Sequence, residues 1–331
     1  MKKREAIKLL QRLPFTFFDV FWLKSNGKKL KIHNRGSYLT SREIEKILKN
    51  PEAFEMSWEI DIDWVSEGLL FFERLHELET KKPIDLIEVD NWRIEFINWS
   101  APSLWHGDEA QRSFLDFTAL MLLGCDIQKS DFYENYENLP IEIQARNILL
   151  SSVIGYFSTL MGYASLSVMR DLFKVFLYAD PLYQTKDWSN SEMKILDQIS
   201  EKGWSSLNAQ ERNILEKNYI EKLKSSIERL EQQLINREYA RLLEFSIEDY
   251  FGNGLLRNVK MNECNDLELL VILISNNINK ESFALSELIE RKFNDLFISE
   301  KNKSDRIRRV ISSTVHSASV KNNNFLKISG L

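Results

Sequence analysis

Apolar positions recur along this chain with two periods. Within residues 15–35, FTFFDVFWLKSNGKKLKIHNR, two short runs rich in aromatic and branched residues flank Asn26-Gly27. That dipeptide readily takes the positive φ angles of a tight turn, so a β-hairpin is predicted there. Thr40, Ser41, Arg42 and Glu43 precede Ile44, Ile47 and Leu48, the pattern of a capping box opening an amphipathic helix that ends near Asn50-Pro51. A second helix is expected over 65–78. The runs PIDLIEV and NWRIEFINW alternate around Asp90-Asn91 as another hairpin would. These elements predict a small α/β domain with β-hairpins over residues 1–105.

From about Glu109 the period becomes helical, with apolar clusters in FLDFTALMLLG, ILLSSVIGYFSTLMGY and VMRDLFKVFLY separated by short polar joints. An α-helical bundle is expected over 106–320, followed by a tail at 321–331, and the chain as a whole is expected to be mainly α. Residues 207–243 read as a long helical stretch in which Leu223, Ile227, Leu230 and Leu234 recur at spacings of four, three and four. The stripe suits one helix packing on its own bundle, and the alternative is the seam of a homodimer. Two heptads are too few to establish a coiled coil, which favours the first reading. The sequence carries no low-complexity segment and no internal repeat.

Composition narrows the classes. The 331 residues suffice for two domains, 44% of them are hydrophobic, and only 11 Gly and 6 Pro interrupt the chain, as suits helices. Charged residues make up 28% with a net charge of -5, which argues against nucleic acid as a partner. Cys125 and Cys264 lie far apart in apolar stretches without CxxC spacing and read as reduced, buried thiols of a cytoplasmic protein. The opening MKKREAIKLLQRLPF is too short and interrupted for a signal peptide, and no window approaches 18 uncharged apolar residues, so a soluble chain without membrane insertion is expected.

The run Glu248, Asp249, Tyr250, Phe251, Gly252, Asn253, Gly254, Leu255, Leu256 is similar to the HHExxDGxGYP signature of the HD-GYP family of cyclic-di-GMP phosphodiesterases. On that register the family's two metal-binding histidines fall on Ser246 and Ile247, its aspartate on Phe251 and its Tyr-Pro on Leu255-Leu256. Three further segments resemble the family in the right order. The apolar helix 172–180 places Tyr178-Ala179 where the His-Asp pair would stand. Leu207, Asn208, Ala209, Gln210 and Glu211 resemble the LTxEE helix and put Asn218 at the next metal histidine. The segment 267–274 is similar to ARIIAVAD, with Ile274 in place of the last metal aspartate. The opening hairpin resembles the small domain that often precedes HD-GYP domains. Residues 52–140 have no clear counterpart.

The resemblance implies a helical fold whose chemistry has been given up. Hydrolysis in this family uses metal ions held by His and carboxylate ligands, which bind phosphate oxygens and lower the pKa of the attacking water. Tyr178, Ala179, Asn218, Ser246, Ile247 and Ile274 offer neither imidazole nor carboxylate. The four histidines, His33, His76, His106 and His316, all lie outside 146–278, where the ligands would have to be. The expectation is a non-catalytic, degenerate HD-GYP-like signalling protein without metal or other cofactor. It would act by protein–protein interaction, with a diguanylate cyclase or another cyclic-di-GMP protein as the implied partner.

Within the GYP-like loop, Gly252 and Gly254 satisfy the backbone demands of a turn. Alternatives are a cyclic-dinucleotide sensor that binds without hydrolysis, an HDOD-like scaffold, and a phosphodiesterase using Asp171, Asp180, Glu244, Glu248 and Asp249 as unfamiliar ligands. Leu182, where the family's HDxGK lysine falls, weighs against the sensor. The basic run 301–309 reads as a solvated helix face, with an acidic or phosphate-bearing partner as the other option.

Overall fold

The computed structural model describes residues 16, 19–33, 39–56, 60–104, 110–127, 141–177, 189–202, 206–245 and 264–278. The expected hairpin is present: β1 (Val20–Leu23) pairs antiparallel with β2 (Lys29–His33). Gly27 takes φ +76° in the turn, and Asn26 Oδ1 accepts from the Lys28 N–H at 3.2 Å. β1 also pairs antiparallel with β3 (Phe54–Met56), giving a three-stranded sheet in the order β2-β1-β3. Between β2 and β3 lies α1 (Ser41–Lys49). Its Thr40–Glu43 capping box forms as expected, Ile44 and Ile47 are buried, and Asn50 closes the helix.

The rest of the described chain is helical. The expected second helix is α2 (Ile62–Thr80), opened by Asp61, whose side chain accepts from the Asp63 and Trp64 N–H groups. The second hairpin is not formed. Residues PIDLIEV and NWRIEFINW instead run into one helix, α3 (Leu86–Leu104), begun by Asp85, whose Oδ1 accepts from the N–H groups of Ile87 and Glu88. Trp92, Phe96, Ser100 and Leu104 are fully buried at spacings of four. That helical period over nineteen residues overrides the short alternation, and Asn91 sits mid-helix on the exposed side.

The bundle continues with α4 (Ala110–Gly124), α5 (Ile141–Leu160), α6 (Leu166–Leu177), α7 (Asn190–Lys202), α8 (Ala209–Gln233), the short α9 (Leu242–Phe245) and α10 (Asp266–Ile278). The long stretch expected over 207–243 is thus two pieces. α8 ends at Leu234, whose N–H bonds Leu230 O, and a 3-10 turn (Arg237–Arg241) follows, opened by Asn236. Leu223, Ile227, Leu230 and Leu234 are all buried within the chain itself, at 2%, 7%, 3% and 6% exposure. The stripe is therefore occupied by its own bundle.

α5 is the central helix. It packs against α3, α4, α6 and α10, and every residue from Leu150 to Leu160 is buried. A helix enclosed on all sides must dispose of its polar side chains internally, and α5 does so by turning hydroxyls back onto its own carbonyls. Ser151 donates to Asn147 O, while Ser158 and Thr159 both donate to Gly155 O. Ser152 bonds Thr118 of α4. Around it, Trp92 stacks on Phe96, Phe72 meets both edge-on, and Phe117 meets Tyr156 edge-on. Gly68 and Gly124 permit this closeness: a Cβ at Gly68 would lie 2.6 Å from Leu120, and one at Gly124 would meet the Phe72 ring. The hydrophobic core runs without a break from the sheet's Val20 through α2–α6 to Ile274 of α10.

Candidate functional site

Buried polar side chains occur on α5, α6 and α10, as well as on α3, α4, α7 and α8. Asn147 of α5 is fully buried and donates from Nδ2 to Leu177 O at the end of α6 (3.2 Å). Asp171, on α6, is 1% exposed and accepts the Asn236 N–H through Oδ2 at 2.8 Å. That bond fixes the start of the 3-10 turn, which packs against α6 and α8. Lys174 lies one turn further along α6 and is also buried. Ser275 of α10 is fully buried. Asn147 Oδ1, Asp171 Oδ1 and Ser275 Oγ have no hydrogen-bond partner among the described residues. Burial pushes the Tyr239 phenol above its ordinary range; the hydrogen bond with Asn236 opposes this, while Tyr163, Asp171 and Glu238 add to it.

Of the six positions matched to metal ligands, Ile274 is fully buried on α10, and Asn218 lies within α8. Tyr178, Ala179, Ser246 and Ile247 fall outside the described residues, as do Glu248, Gly252, Asn253, Gly254, Leu255 and Leu256 of the GYP-like loop. Asp180, Asp249, His106, Leu182 and the basic run 301–309 also lie outside them. Glu244 is half-buried in α9, His76 is exposed on α2, and His33 Nε2 lies 3.2 Å from Glu43. No group of three or more His, Cys, Asp or Glu able to hold a metal occurs among the described residues. No described helix is long and apolar enough to cross a membrane.

Asn208 and Glu211, matched to the LTxEE helix, form a reciprocal capping box at the start of α8. Local helix initiation therefore accounts for that motif on its own terms. Neither cysteine forms a disulfide: Cys125 is buried, while Cys264, expected to be buried, is only half-buried. Burial raises the Cys125 thiol far above its usual range; the Arg170 charge opposes this and Glu79 adds to it.

The sequence reading named Asp171 only as a hypothetical ligand and missed its structural bond to Asn236. The visible signal was a lone acid inside the apolar run of α6 with a lysine three residues on, a placement that demands a buried partner. Compared with protein-family models, with curated proteins and with solved structures, the chain matches none.

Proposed function

We propose that the chain is a non-catalytic, HD-GYP-like signalling protein that works through protein–protein contact in cyclic-di-GMP-linked regulation. The observation that carries this reading is the burial of Ile274. At the position matched to the family's last metal aspartate, an aliphatic side chain is fully enclosed on α10, flanked by buried Leu270 and Val271 on a helix packed against α5. A metal ligand must present a lone pair into an accessible site, and this side chain offers none. The one deeply buried carboxylate of α6, Asp171, is engaged in holding a backbone turn.

The test is elemental analysis of purified full-length protein together with a cyclic-di-GMP hydrolysis assay in added manganese. The expected result is no stoichiometric iron or manganese and no turnover. Two tightly bound metal ions, or sustained hydrolysis abolished by Glu248→Ala, would overturn the proposal. Calorimetric titration with cyclic di-GMP separates the sensor alternative, which requires saturable heat.

A further inference from the structure

α3 carries exposed isoleucines on the side opposite its buried face. One side is the buried Trp92, Phe96 and Ser100. On the other, Ile87, Asn91, Ile94 and Asn98 follow at spacings of four, three and four, which on a helix of 3.6 residues per turn confines them to an arc of about 60°. Ile84, just before the helix, continues the stripe. Ile84, Ile87 and Ile94 are 49%, 73% and 43% exposed, and Asn91 and Asn98 are exposed. This arc lies opposite the buried Trp92 and Phe96, and its isoleucines are left partly open to solvent. Aliphatic side chains concentrated on one exposed arc mark a contact surface, unlike the solitary Leu70 on α2.

The stripe is self-complementary when reversed. Turned end over end about Asn91, Ile87 of one copy meets Ile94 of the other, and Ile84 meets Asn98. Asn91 meets itself, and its amide supplies both a donor and an acceptor for that pairing. The charges beside the stripe obey the same symmetry. Lys81 pairs with Glu88 at 3.6 Å, and seven residues along α3 Glu95 pairs with Arg74. Reversal brings the Lys81–Glu88 pair of one copy alongside the Arg74–Glu95 pair of the other, where each base can also reach the opposite acid.

We propose that this face of the α2–α3 pair docks an antiparallel second copy of the chain, with the two-fold axis at Asn91. The stripe spans roughly 22 Å along α3 at 1.5 Å per residue, and two helices are roughly 20 Å wide, which gives about 900 Å² of buried surface in total, the size of a weak, transient contact. Association is therefore expected to be weak and concentration-dependent.

Sedimentation velocity of the full chain between about 1 and 200 μM, a span matched to weak association, tests this. The wild type should pass from monomer to dimer, Ile87→Glu/Ile94→Glu should stay monomeric, and a control at exposed Ile235, outside α2 and α3, Ile235→Glu, should dimerise like the wild type. Under oxidising conditions Asn91→Cys should form an intermolecular disulfide, whereas Asn98→Cys and the wild type should not. Far-UV circular dichroism of each variant establishes that it is folded. A wild type that stays monomeric throughout, a dimer that survives the double variant, or a crosslink at Asn98→Cys but not at Asn91→Cys would overturn the proposal.

Discussion

Asp171 illustrates how one side chain can look like chemistry and serve architecture. A polar acid side chain inside a helix core is costly unless bonded, and here it caps the backbone of the turn that follows α8. Asp171→Ala would leave the Asn236 N–H without its acceptor, a loss of about 1–3 kcal/mol, read as a lower urea midpoint. Unchanged stability would remove this structural role. Cys125 allows a second check at the same scale. Buried and with its thiol held protonated, it should not react with an aromatic disulfide reagent in the native state, while half-buried Cys264 reacts first. Equal native rates for the two thiols would contradict the burial. Asp171 and Cys125 were legible as polar or reactive groups in apolar runs, but their partners were not. Those partners come from elements distant in sequence, 65 residues away for Asp171 and Asn236.

Elements with local signals were readable from the chain alone. The Asn26-Gly27 turn and the Thr40–Glu43 box each combine a few adjacent residues with a fixed backbone demand, and both form as expected. α3 was not readable in this way, because alternation over runs of seven and nine residues fits a strand and a helix alike until Trp92, Phe96, Ser100 and Leu104 are counted together. The capping box also sets a pH dependence. Burial would raise the Glu43 pKa, but hydrogen bonds from the Thr40 side chain and N–H, with the nearby charges of His33 and Lys46, hold it below the ordinary 4.5. A folded-state value below the unfolded one means that Glu43 stabilises the fold above about pH 4.5 and loses that contribution as pH falls through the lowered value. Glu43→Gln should therefore flatten the acid limb of the stability profile, and Thr40→Ala should cost about 1 kcal/mol at neutral pH. At the end of α5, Gly162 takes φ +98° while Tyr163 N–H bonds Ser158 O, a left-handed helix stop that favours glycine. Gly162→Ala should cost about 1–2 kcal/mol, although open space surrounds the site. A neutral effect in thermal denaturation would sink that account.

At the scale of the molecule, the continuous core joins elements that sequence reading assigned to separate regions around residue 105. α2 and α3 pack against α4, and their side chains secure the turn between α5 and α6 from both sides. Arg93 donates to Leu160 O at the end of α5 (3.0 Å), and Glu79 accepts the Leu166 N–H at the start of α6 (2.9 Å). No local pattern could reveal this clamp, since each bond spans 67 or 87 residues and depends on how the helices stack. Elements that share a core and cap each other should unfold together. Tryptophan fluorescence, weighted toward the N-terminal elements because six of the eight tryptophans lie at or before Trp105, and far-UV circular dichroism, dominated by the whole bundle, should then trace one coincident urea transition. Arg93→Ala removes a charged donor from a carbonyl and should shift both traces together, by about 1.5–3 kcal/mol. Two separable transitions, or an Arg93→Ala effect confined to fluorescence, would mean that the N-terminal helices fold independently of the bundle and that the clamp couples nothing.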